Sequence, residues 1–146
     1  MKFTIYPLRG VQNIEFGMSS EQVASIMKAA PEKFFRGGRG EGGGKFPSDH
    51  YHEQGVFFYY DDDGHLEGIE FATPAEPEFG GVNFLQIPAS HAVAIVAGID
   101  PDASVDNEGV ISRKLSLAIW SPNVGDSPDA PAESMAIGRA GSYDSV

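Results

Sequence analysis

A segment of this chain occurs twice, and the repeat constrains the fold more than any other feature. Gly10–Met27 reads GVQNIEFGMSSEQVASIM, and Gly81–Ala97 reads GVNFLQIPASHAVAIVA. With a one-residue gap, Ser20 falls on Ser90, Val23 on Val93 and Ile26 on Val96, an offset of 70 residues. Strand-like sequence follows each copy. The spacing predicts a single domain over 1–146 with pseudo-repeat halves 1–75 and 76–146. A helix that is apolar on one stripe must lie on a sheet. The expected class is therefore α+β, as two tandem α-β-β-β units forming one curved antiparallel sheet with both helices on one face. Such a sheet leaves its second face free, which suits gripping something large better than cleaving something small.

The elements can be placed one by one. Lys2–Tyr6 alternates and is β-rich, which predicts a first strand. Ser19 and Gln22 have capping-box spacing, and Val23, Ile26, Met27 and Ala30 follow as one helical stripe, limited by Pro31. Residues 36–45, RGGRGEGGGK, predict a long loop. Strands are expected near Asp49–His52, Val56–Tyr60 and Leu66–Phe71, with an Asp63-Gly64 turn between the last two. Thr73–Gly80 is Pro-rich and acidic and reads as the bridge between halves. Pro88–Ser90 opens the second helix, with Val93, Val96 and Ala97 as its stripe and Gly98 near its stop. Val110–Ser112, Lys114–Trp120 and Glu133–Arg139 read as strands, with Leu115, Leu117, Ile119, Met135 and Ile137 inward and Trp120 outward. Ser121–Pro131 reads as a loop.

Charge and composition narrow the function classes. Residues 1–45 carry seven Lys/Arg against four Asp/Glu, and residues 46–146 carry three against seventeen. A −14 balance over that stretch repels phosphate backbones and argues against nucleic acid as partner. It would steer a basic protein inward; the plainer reading of the same acidity is solubility. There is no cysteine, so disulfides, thiolate zinc sites and a cysteine nucleophile are excluded. No stretch approaches the ~20 apolar residues that span a bilayer, and MKFTIYPLRGVQ lacks the apolar run of a signal peptide. A cytoplasmic protein with no membrane partner is expected; its oligomeric state stays open.

The segment NIEFGMSSEQVASIM resembles the I-x-F-G-M-[ST]-x-x-Q-V-x-x-I opening of the β-lactamase inhibitor protein repeats and of the SmpA/OmlA-type outer-membrane lipoproteins. The matching positions are Ile14, Phe16, Gly17, Met18, Ser19, Gln22, Val23 and Ile26. The resemblance implies an α-plus-antiparallel-sheet unit, in which Phe16 and Met18 wedge the helix start, Gly17 permits the turn and Ser19 caps. It implies a fold and no activity. Those families are exported and use cysteine, which does not carry over. The second copy reads Gln86-Ile87-Pro88-Ala89 where the first has F-G-M-S. Small acidic proteins of this look are also similar in type to bacterial toxin-immunity proteins.

Several clusters invite a chemical reading. His50 and His52 share one face of a strand, with Asp49 and Glu53 beside them and His65 one hairpin away, so two imidazoles could reach one metal. The plainer reading is a polar edge strand. Asp61-Asp62-Asp63-Gly64-His65 lacks the spacing of a calcium loop and reads as a solvated turn. Gly40–Lys45 departs from a phosphate loop, with Arg39 in place of the first glycine and Phe46 in place of Ser/Thr. Lys33, Arg36, Arg39 and Lys45 are candidates to fold onto an acidic patch. No G-x-S-x-G supports a nucleophilic triad.

No catalytic constellation, resident metal or cofactor is expected. The expected function is non-catalytic protein binding of the inhibitor or immunity kind, neutralising a basic toxin enzyme through the open sheet face. Its expected contacts are Trp120 with Tyr59 or Tyr60 as anchors, and Asp61, Asp62, Asp63 and Glu70 as complementary charge. The alternative is a small-ligand or metal-binding module at His50 and His52.

Overall fold

Side chains along these strands alternate between a packed interior and a second, uncovered side, and that alternation organises the molecule. The computed structural model describes residues 1–36, 46–122 and 125–145. The predicted loop at 36–45 lies almost wholly outside them. In chain order the elements are β1 (Lys2–Tyr6), β2 (Gly10–Val11), β3 (Ile14–Glu15), α1 (Ser20–Met27), β4 (Glu32–Arg36), β5 (Phe46–Tyr51), β6 (Val56–Tyr60) and β7 (Leu66–Phe71). They continue with β8 (Glu76–Phe79), β9 (Val82–Asn83), α2 (Ala89–Ile99), β10 (Ser104–Asp106), β11 (Gly109–Ser112), β12 (Leu117–Trp120) and β13 (Ser134–Gly138).

The α+β class holds, but the strands form two sheets where one was expected. The larger has eight antiparallel strands in the order β10-β11-β12-β13-β7-β6-β5-β4. The smaller has five, β3-β2-β1-β8-β9. The correction originates at residues 73–80. Two prolines made that stretch read as a bridge, yet Glu76–Phe79 forms β8 and pairs parallel with β1, Phe3 opposite Pro77. Pro77 lies outside the two β8–β9 register pairs, Glu78 with Asn83 and Phe79 with Val82. The parallel pair draws β1 into a sheet of its own. In the larger sheet four strands follow each helix where three were expected, because β4 and β10 add an outer strand at either edge.

Both helices form where predicted, but α1 ends before Ala30, which is exposed, and α2 runs on through Gly98 and buries Ala89, Ala92 and Val96, leaving Val93 and Ala97 half-buried. The Gln22 amide donates to Ser19 Oγ at 3.2 Å, and the Ser19 amide donates to Gln22 Oε1 at 2.9 Å, closing the capping box. Val23 and Met27 are buried, and Lys28, left-handed at φ 55°, ends the helix. Helix α2 lacks a side-chain cap. Its free amides at Ala89 and Ser90 instead donate to the carbonyls of Ala130 and Pro128, which folds the 126–131 loop onto the helix start. Phe16 and Met18 pack against the core, and the Gly17 amide and Met18 carbonyl bond to Leu66 on β7. One apolar cluster joins both sheets and both helices, from Phe3 and Ile14 through Val23, Phe58, Phe71 and Val96 to Ile137. Among the described residues, no helix is long and apolar enough to cross a membrane.

Candidate functional site

The candidate site is the side of the eight-stranded sheet that points away from this core. Register pairing defines it without ambiguity. One rung runs from Glu32 through His50, Phe57, Glu70, Ala136 and Ala118 to Ile111 and Ser104, a residue per strand. Facing pairs share one side of a sheet. The opposite parity, Phe58, Ile69, Ile137 and Leu117, is buried.

The surface has three parts. On β4–β6 the side chains stack into a ladder. The His50 ring lies on Phe57 at 3.8 Å and 3°, Phe57 faces Tyr59 at 5.9 Å and 13°, and Phe34 meets Phe57 edge-on at 6.1 Å. The Arg36 guanidinium sits over Tyr59 at 4.7 Å, within cation–π range. At the centre, Gly68, Gly138 and Ala136 present almost no side chain. They floor a pocket of about 280 Å³ that is walled by Tyr59, Arg36 and the C-terminal Tyr143. Beyond it lie Ile111 and Trp120, and Trp120 is 48% exposed.

Hydrogen bonds and charge fix the ladder. Tyr59 donates its hydroxyl to Glu70 Oε1 at 2.6 Å. Burial, then this bond to a carboxylate, raises the Tyr59 phenol far above its usual range. Burial and the same Glu70 push Tyr143 up to about 12. Arg36 pairs with Glu67 at 2.6 Å, Glu67 with Arg139 at 3.1 Å, and Arg139 with Asp61 at 2.9 Å. Lys33 meets Asp49 at 3.2 Å. Two of the four cations expected to fold onto acidic groups, Lys33 and Arg36, therefore do so; Arg39 and Lys45 lie outside the described residues.

The named contact residues divide. Trp120, Tyr59 and Glu70 sit on the outward face, and Asp62 and Asp63 are exposed on the β6–β7 turn. Tyr60 is 1% exposed and points into the core, so Tyr59 is the outward member of the pair. Asp61 is not free to meet a partner. Its Oδ1 accepts from the amides of His65 and Asp63, its Oδ2 accepts from Arg139, and these bonds, the His65 amide foremost, hold its carboxyl below the usual range. Pro128 and Ala130 of loop 121–131 accept from the start of α2 and Pro131 bridges to Pro88, while Trp120 stays 48% exposed.

His50 and His52 converge as the H-x-H spacing predicts. The third group beside them is Glu32, not His65. His65 belongs to a second cluster with Asp61 and Asp63, across the β6–β7 turn. Phe34, Phe57 and Tyr143 were missed. Parity alone could have placed Phe57 with Tyr59; nothing local predicts that Tyr143 folds back over Glu70. Compared with family models, curated proteins and solved structures, the chain matches none.

Proposed function

We propose that this chain is a non-catalytic, cytoplasmic protein-binding module of the inhibitor or immunity kind, which covers a basic protein such as a toxin enzyme. The observation that carries this reading is the outward face of the eight-stranded sheet. It bears an aromatic ladder, a bare glycine-alanine trough and an exposed Trp120, and no helix lies over it among the described residues. A partly exposed tryptophan beside a groove is the kind of anchor that dominates interface energy. Glu32, Glu70, Asp106 and Glu108 on or beside the face, with Asp62 and Asp63 at its rim, supply charge that attracts a basic surface. The mechanism is occlusion with electrostatic steering and no turnover.

A tandem origin fits this role. The runs α1-β4-β5-β6-β7 and α2-β10-β11-β12-β13 extend in opposite directions from the β7–β13 pair. Two units meeting edge to edge produce a sheet twice as wide as either alone, which supports the repeat read from Ser20/Ser90 and Val23/Val93.

The test is capture from the source lysate with wild-type and Trp120→Ala protein, followed by titration of the protein recovered. Trp120 is 48% exposed and lies outside the buried core cluster, so the variant should keep its melting temperature. Its affinity should fall by about ten-fold or more. Equal affinity for a basic partner would remove this face from the proposal.

A further inference from the structure

We propose that Glu32, His50 and His52 bind one divalent transition ion of the zinc, nickel or copper kind at the edge of the open sheet face. The inference is independent of the docking reading above. Glu32 and His50 are register partners on β4 and β5, so their side chains leave the sheet on the same side. His52, two residues on, returns to that side. One ligand atom from each lies within 4.8 Å of the others. Metal–ligand bonds of about 2.0–2.2 Å put two ligands no more than about 4.4 Å apart, so only small side-chain rotations are needed.

Two details favour an ion over a casual cluster. His52 Nε2 and Glu32 Oε2 already approach to 2.6 Å, the contact a bridging proton makes and a cation can replace. The His50 ring is held flat on Phe57 at 3.8 Å and 3°, which fixes the plane of the ring before any ion arrives. Two imidazoles and one carboxylate suit zinc, nickel or copper and not calcium or magnesium, which take oxygen ligands. Three protein ligands leave the remaining positions to water, in the cleft between Pro31 and Gln54. The second cluster differs, because both Asp61 oxygens are already engaged by amides and by Arg139.

The experiment uses untagged, chelator-stripped protein titrated with Zn(II) and Ni(II) by calorimetry and thermal shift. One ion per chain should bind with a dissociation constant of about 10 μM or tighter, raising the melting temperature as ligand linkage requires. His52→Ala and Glu32→Gln, both at exposed positions, should each weaken binding by about ten-fold or more. His65→Ala should leave it unchanged. Copper(II) electron paramagnetic resonance should report two nitrogen ligands, a signature no structural defect imitates. The proposal fails if neither ion binds by about 100 μM, if a His50→Asn/His52→Asn variant binds as wild type, or if His65→Ala abolishes binding.

Discussion

Tyr51 buries its ring on β5, 1% exposed and edge-on to Phe58 at 5.6 Å, while its hydroxyl meets no hydrogen-bond partner among the described residues. The Tyr60 hydroxyl and Asp49 Oδ2 are in the same state nearby. Burial, then the Asp49 charge, pushes the Tyr51 phenol up to about 12 from an ordinary value of 10.0. The folded state therefore holds this proton more tightly than the unfolded chain does. The associated stability is fully present below pH 10 and is lost as pH rises through about 12. Tyr60 shifts in the same direction, chiefly through burial. An unpaired buried hydroxyl costs free energy, so removing it leaves no partner orphaned. Tyr51→Phe should be as stable as wild type at pH 7, or more stable by up to about 1 kcal/mol. It should also lose less stability between pH 10 and pH 12. Urea unfolding at the two pH values measures both, and a loss above about 1 kcal/mol at pH 7 would show a hydrogen bond at that hydroxyl.

At the scale of elements, the β11–β12 hairpin depends on one glycine. Gly109 lies opposite Trp120, has φ 141°, and any Cβ there would strike the Ile119 carbonyl oxygen. Gly109→Ala should cost about 2 kcal/mol or more, read from the denaturation midpoint, because the backbone must shift as well as strain. A cost under about 0.5 kcal/mol would mean that the hairpin relaxes freely. The same scale explains which elements were legible. Strands β1, β6 and β7 were readable to the residue, because alternation and Asp63-Gly64 are local signals. So was the capping box at Ser19. Strand β8 was hidden by prolines, and β10, exposed at all three residues, has no burial pattern to read. Strand β12 starts three residues later than Lys114, because alternation runs on through a turn in which Ser116 takes φ 50°. Trp120 could be placed outward by parity. Tyr59 and Tyr60 could not be told apart, since Val56–Tyr60 is apolar on both faces. Asp61 is claimed by Arg139, 78 residues away, and Glu32 meets His52, 20 residues away; no local pattern encodes either.

For the whole molecule, the seams between residues 1–75 and 76–146 run through both sheets. Strand β1 pairs with β8 over three registers, and β7 pairs with β13 over four. The apolar cluster crosses the same boundary, with Phe71 opposite Met135. Cut there, each half would expose one edge of a central strand, a row of unpaired amides and carbonyls beside apolar side chains. A chain of about 75 residues also buries too little surface to offset that loss with ease. The two halves expressed separately should therefore show no cooperative unfolding by circular dichroism. Mixed at equal concentration, they should recover the far-ultraviolet spectrum and a single transition. Charge adds a second expectation. The halves carry formal charges of −4 and −7, so they repel at long range. Salt should speed their reassociation by shortening the range of that repulsion, about 10 Å at 0.1 M, while the buried seam, once formed, should change little. Two halves that each melt sharply alone would mark independent domains, and the broad shared face would then be an accident of docking and not of folding.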